Sequence, residues 1–215
     1  MLGAVLLAVF LLIAFTIPTG PLEVEQRWSA WMADIQCPLL DHVALVFNTV
    51  GRGFGRALMT AAPAVVLIVW RRWVGLLAYG VAEAGSALAS SVSKSFVDRP
   101  RPTGSELHPH GASFPSGHVT FAGVTSAALV LLFTSPGARR KVWWALALVV
   151  TAGMAWSRTY LQVHWLLDVI GGAILGIGFA LLVFGALEVT LRGPASPPRP
   201  VPAGAGSAPR SAGAS

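Results

Sequence analysis

His164 and Asp168 stand four residues apart, the spacing that stacks side chains on one face of a helix. A carboxylate so placed can hold the imidazole Nδ1–H and leave Nε2 free as a nucleophile. His118 is a second imidazole, able to give or take a proton near neutral pH. Lys94, Arg101 and Arg158 are three cations with no evident carboxylates to cancel them. Converging cations call for a polyanion, and phosphate fits best. Ser116 and Gly117 open an apolar run, where free backbone N–H groups and the helix dipole form an anion site and Gly117 permits close backbone approach. This set suffices for phosphoryl transfer through a phosphohistidine. A catalytic metal fits poorly, because the three cations would repel it and no carboxylate cluster suits magnesium.

Singly, each residue has a plainer reading. An Arg could anchor an interface, His164 could be a satisfied interfacial histidine, and Asp168 could be a helix N-terminal charge. Their joint placement on one face of a chain that otherwise avoids charge is what points to function.

The elements that must position them are apolar runs. The 215-residue chain is 54% hydrophobic and only 11% charged, against about 25% charged residues in a typical soluble domain. Its 15 Lys and Arg against 9 Asp and Glu give a net charge of +6, scattered between apolar runs, so the basic balance does not indicate a nucleic-acid partner. The single cysteine, Cys37, excludes an internal disulfide. Runs at Leu2–Pro18, Ala57–Trp70, Trp73–Ser93, Val119–Thr134, Val142–Trp156 and Trp165–Val189 predict an all-α, polytopic membrane protein, a six-transmembrane-helix bundle. The expected domain is 1–192. In Gly20–Gly55, the helical recurrence of Trp28, Trp31, Met32 and Ile35, with Glu25, Arg27 and Asp34 between them, predicts an amphipathic helix in the interface. Residues 193–215, rich in proline, predict a disordered cytoplasmic tail.

Six spans place both termini on one side. The short links Arg71-Arg72 and Arg139-Arg140-Lys141 are purely basic, while the opposite segments also hold acids. Both termini are therefore expected in the cytoplasm. Three polar clusters share the outer face: Lys94–Pro102, Pro115–His118 and Ser157–Asp168. Glu83 falls near the middle of the third run, where an acid more often serves helix contacts than catalysis. Gly172 and Gly176 form a small-xxx-small pair, expected to pack within the bundle. His108 and His110 read as a solvated loop.

These residues resemble the signature of the phosphatidic acid phosphatase type 2 superfamily: Lys-x6-Arg-Pro, Pro-Ser-Gly-His and Ser-Arg-x5-His-x3-Asp. The chain matches it in order, with Lys94 to Arg101-Pro102, Pro115 to His118, and Ser157-Arg158 through His164 to Asp168. The resemblance implies that His164 is the nucleophile and Asp168 its orienter. His118 would protonate the leaving oxygen and then activate water. Lys94, Arg101, Ser116, Gly117 and Arg158 would hold the phosphoryl oxygens. It also implies a metal-independent, vanadate-sensitive enzyme needing no cofactor, whose partners are the bilayer and a lipid phosphate. The site would be extracytoplasmic, in a multi-pass cell-membrane protein of bacterial inner-membrane type. The expected substrate is a polyprenyl (undecaprenyl) diphosphate. Phosphatidate, phosphatidylglycerophosphate, transfer of a phospho-headgroup between lipids, and a non-catalytic lipid-binding role stand as alternatives.

Overall fold

A computed structural model describes residues 1–107 and 110–192. Eight helices follow one another: α1 (Leu2–Thr16), α2 (Glu23–Asp34), α3 (Pro38–Val50), α4 (Gly53–Val69), α5 (Trp73–Val97), α6 (Gly117–Phe133), α7 (Ala138–Tyr160) and α8 (Leu166–Arg192). No strand occurs among the described residues. The expected tail, 193–215, lies outside them, as does His108.

The centre of the bundle is the α6–α8 pair. Gly172 and Gly176 make it possible. A Cβ on Gly172 would lie 2.7 Å from the Ser116 carbonyl oxygen, and one on Gly176 would lie 2.2 Å from that of Thr120. The two backbones therefore approach as closely as small residues allow. Around this pair stand α1, α5 and α7. Val119, Ala122, Met154 and Val169 join α6, α7 and α8 in one buried cluster. Phe10, Ala14, Phe114 and Leu175 join α1, α8 and the loop before α6 in another. Glu83 is buried on α5 and accepts a hydrogen bond from the Thr125 hydroxyl on α6, so it serves a helix contact.

The outer surface is apolar. Leu77, Val81, Leu88 and Val92 on α5, and Val142, Leu146 and Val149 on α7, are all exposed. A soluble monomer does not show so broad an apolar face. By length and composition, among the described residues, Leu166–Leu191 is long and apolar enough to cross a membrane, and α3 with α4, bent by 59°, makes a second candidate. Helices α1 and α6 are apolar but shorter.

The segment expected to hold one amphipathic helix forms two, α2 and α3. Pro38 at the start of α3 separates them. Nor is α2 polar along its whole outer face: Glu25 is wholly buried.

Candidate active site

One end of the bundle gathers the end of α5, the starts of α6 and α8, the end of α7, and the α3–α4 corner. The chain leaves α5 at Asp98, whose left-handed backbone (φ 43°) reverses its direction. The following loop returns across the bundle end. Ser113 N–H donates to the Arg99 carbonyl at 2.8 Å, and the Trp165 indole N–H donates to that of Pro100 at 2.9 Å. A cavity of about 360 Å³ opens there, lined by Arg101, His118, Arg158 and His164, together with Asn48, Arg52 and His110.

His164 is buried in the loop between α7 and α8. That loop is pinned from α2: the Gln162 side-chain amide donates to the Ser29 carbonyl at 3.0 Å. His164 Nδ1 faces Asp168 Oδ2 at 3.4 Å, an ion-pair separation rather than an aligned hydrogen bond. Its Nε2 lies 3.2 Å from Arg101 Nη1. A guanidinium only donates, so Nε2 carries the lone pair and the neutral ring holds its proton on Nδ1. Burial pushes the imidazole down to about 4, against the opposing pull of Asp168.

Asp168 is wholly buried and fully engaged. Oδ2 accepts the Trp165 N–H at 2.8 Å, which caps α8, and Oδ1 accepts Arg99 Nη1 at 2.8 Å. Arg99 is wholly buried too. It donates to both oxygens of Glu25 and to the carbonyls of Pro18 and Gly20. Glu25 also accepts the backbone N–H groups of Leu22 and Leu167, each at 2.9 Å. Two carboxylates thus share one guanidinium, and the unbalanced negative charge faces His164.

The other cations are held by carbonyls. Lys94 Nζ donates to Ala112 at 2.9 Å. Arg101 donates to Gly111, Ala112 and Val163. Arg158 Nη1 donates to Asn48 Oδ1 at 2.9 Å, while its Nη2 has no hydrogen-bond partner. Ser116 Oγ and His118 Nε2 are likewise unpartnered. His118 is fixed by the α3–α4 corner, where a Cβ on Gly51 would meet its ring at 2.4 Å. The Gly117 backbone faces open space.

All eight residues singled out from sequence therefore lie at one end of the bundle. One expectation is corrected. The Ser116 N–H is not free for an anion, because it donates to the Asp168 carbonyl at 2.9 Å. Arg99, Glu25 and Asn48 are site residues that the sequence motifs do not single out, Glu25 falling among the charges of the expected amphipathic helix. A buried Glu or Arg leaves no local sign of the partner it meets. The only available signal was Arg99's place inside the first motif.

Helices throughout the described residues, an apolar outer surface, and cations gathered with imidazoles at one bundle end fit the class of membrane phosphatases, and the comparisons with known proteins agree. The PAP2 superfamily profile matches residues 75–190. The chain is 34% identical over 103 residues to an undecaprenyl-diphosphatase of Sulfolobus acidocaldarius, covering 48% of this chain and 42% of that protein. It is 30% identical over 183 residues to phosphatidylglycerophosphatase B of Bacillus subtilis, covering 82% and 90%. The crystal structure of a transmembrane PAP2-type phosphatidylglycerolphosphate phosphatase from Bacillus subtilis superposes with a TM-score of 0.74 at 27% identity, over 86% of this chain and 96% of that one. The chain belongs to the PAP2 superfamily.

Proposed function

We propose that the protein is a metal-independent membrane phosphatase that hydrolyses a lipid phosphate through a phosphohistidine, with a polyprenyl diphosphate as its substrate. The carrying observation is the cavity itself. The neutral imidazole of His164, backed by a carboxylate, the imidazoles of His118 and His110, and the guanidinium groups of Arg52, Arg101 and Arg158 line it, at the end of a bundle with an apolar outer surface.

The residues divide the work as follows. His164 Nε2 attacks phosphorus, and the bond from phosphorus to the leaving oxygen breaks. Asp168 stabilises the imidazolium that forms. His118 gives its proton to the leaving oxygen, then takes one from water as that water attacks the phosphohistidine. Phosphate leaves, and His164 regains its lone pair. Lys94, Arg101, Arg158, the Ser116 hydroxyl and the Gly117 N–H hold the three phosphoryl oxygens as charge redistributes. Arg101 yields its contact with Nε2 to the phosphoryl group.

In this reading α1, α4, α5, α6, α7 and α8 span the membrane, while α2 and α3 lie at its outer surface. The domain is 1–192, with both termini cytoplasmic. Water then reaches the histidines from outside while the lipid tail stays in the bilayer. The diphosphate choice is supported by the archaeal relative. Phosphatidylglycerophosphate is the second reading, supported by the Bacillus relative that aligns over most of both chains.

The test is phosphate release by detergent-purified protein from undecaprenyl diphosphate, phosphatidylglycerophosphate and phosphatidate, with and without EDTA and vanadate. The expected result is EDTA-resistant, vanadate-sensitive turnover, fastest on the diphosphate and lost in His164→Ala. Equal release by wild type and His164→Ala would overturn the mechanism. Turnover only with a second lipid as acceptor would make the protein a transferase.

A further inference from the structure

A second polar cavity, of about 240 Å³, lies beside the catalytic one, between α4, α5 and α6. Arg56, Ser90, Lys94, Gly117, Thr120 and Phe121 are among its lining residues. We propose that this cavity binds the lipid-attached phosphate of a diphosphate substrate, with Arg56 as its principal cation. The proposal rests on the diphosphate reading above and deepens it.

Position is the first argument. Gly117, which borders this cavity, directly precedes His118, which lines the catalytic one, so the two spaces flank the start of α6. Phe121 lies about one helical turn beyond Gly117, about 6 Å along the α6 axis. That direction leads from the bundle end into its apolar length, the course the lipid end of a substrate must take. A group there sits between the reacting phosphorus and the tail. In a polyprenyl diphosphate that group is the second phosphate.

Charge is the second argument. Arg56 is half-buried on an apolar helix, and its guanidinium carbon sits 4.9 Å from the centroid of the Phe121 ring. Among the described residues no carboxylate lies within ion-pair distance of it. Glu83, the acid buried on α5, is hydrogen-bonded by Thr125 and meets the Arg56 charge only through space, without an ion pair. A charge kept near membrane depth without a direct ion-pair partner is costly unless it serves a ligand. The ring positions the guanidinium and leaves its N–H donors available.

The chemistry follows. His164 Nε2 bonds to the terminal phosphorus, and the bond from that phosphorus to the bridging oxygen breaks. The electron pair stays on the bridging oxygen, now part of the lipid monophosphate, and His118 supplies its proton. Charge that grows on the departing phosphate meets Arg56 and Lys94. A lipid monophosphate would instead place carbon in this cavity and gain nothing from the guanidinium.

The test compares farnesyl diphosphate with farnesyl monophosphate, which share one tail, on wild type, Arg56→Met and Arg56→Lys. A hydrogen-bonded charge pair is worth about 1.5–3 kcal/mol, so Arg56→Met should lower kcat/KM for the diphosphate by about 10- to 100-fold. The monophosphate should change by less than about threefold, which also verifies folding, and Arg56→Lys should recover much of the diphosphate activity. Equal losses on both substrates would overturn the subsite while leaving the phosphatase reading intact. Wild type active on the monophosphate alone would overturn the diphosphate reading and the subsite together.

Discussion

Arg99 Nη1 lies 2.8 Å from Asp168 Oδ1, and neither side chain is reached by solvent. The guanidinium would neutralise the carboxylate that orients His164 were it not shared with Glu25. With Glu25 in place the trio carries one net negative charge, which is available to an imidazolium at His164.

Glu25→Gln keeps the shape and removes that charge. It should lower kcat by about 10- to 100-fold, from the loss of roughly 1.5–3 kcal/mol of charge-assisted stabilisation. Arg99→Met leaves two buried carboxylates without their cation and should cost about 3–5 kcal/mol of stability. Turnover and thermal unfolding in detergent measure the two effects. A Glu25→Gln enzyme with wild-type kcat would show that the charge balance is irrelevant to the reaction.

The ionisation of His164 gives a second prediction. Its pKa is lowered from 6.5 to about 4, so the folded ring stays neutral where a free imidazole would be protonated. The nucleophile keeps its lone pair at pH 5–6. The unfolded chain binds this proton between about pH 6.5 and 4 and the folded chain does not, so the contribution to stability falls as pH drops through that window. ¹⁵N spectra of histidine-labelled protein at pH 6 should show His164 as the neutral Nδ1–H form. An imidazolium signal assigned to it would contradict the geometry.

Helix contact should govern activity through α8. Gly176→Ala puts a methyl where the Thr120 carbonyl already stands and forces α8 away from α6, separating His164 and Asp168 from His118. About 1–3 kcal/mol of stability should be lost, with a marked fall in kcat. Gly185→Ala, on the same helix with nothing within 4 Å of the added carbon, should leave both unchanged. Equal behaviour of the two variants would refute the packing account.

Cys37 tests the orientation. It is exposed at the start of α3, on the side of the site. An impermeant thiol reagent should label it in intact cells. Labelling only after permeabilisation would put the site in the cytoplasm.

The residues of the chemistry were legible because their types and spacing are linear. His164 and Asp168 stand four residues apart and do meet, although His164 precedes α8 rather than sharing a helix face with Asp168, and Ser116-Gly117-His118 opens a helix. The small pair Gly172 and Gly176 is also legible as a helix contact within the bundle, but its sequence does not say that the partner is α6. The Glu25–Arg99 pair was not legible, since 74 residues separate the partners. Glu25 at the third position of α2 looks like an ordinary capping acid, and it does fill that role toward Leu22. The Ser116 N–H read as free because helix starts leave such groups unpaired. Its partner, the Asp168 carbonyl, arrives only when α8 packs against α6. The division of Gly20–Gly55 into α2 and α3 turned on Pro38, which an amphipathic pattern alone does not weigh.

The most direct test of the central claim is to look for phosphate on His164. His118→Ala should slow hydrolysis of the intermediate, so rapid quenching of this variant with a lipid diphosphate, under alkaline conditions, should trap it. Peptide mass spectrometry is then expected to find a base-stable, acid-labile phosphoryl group on His164, absent when His164→Ala is added. Phosphate release within a single turnover, with no phosphoryl group on His164 at any time point, would contradict the account.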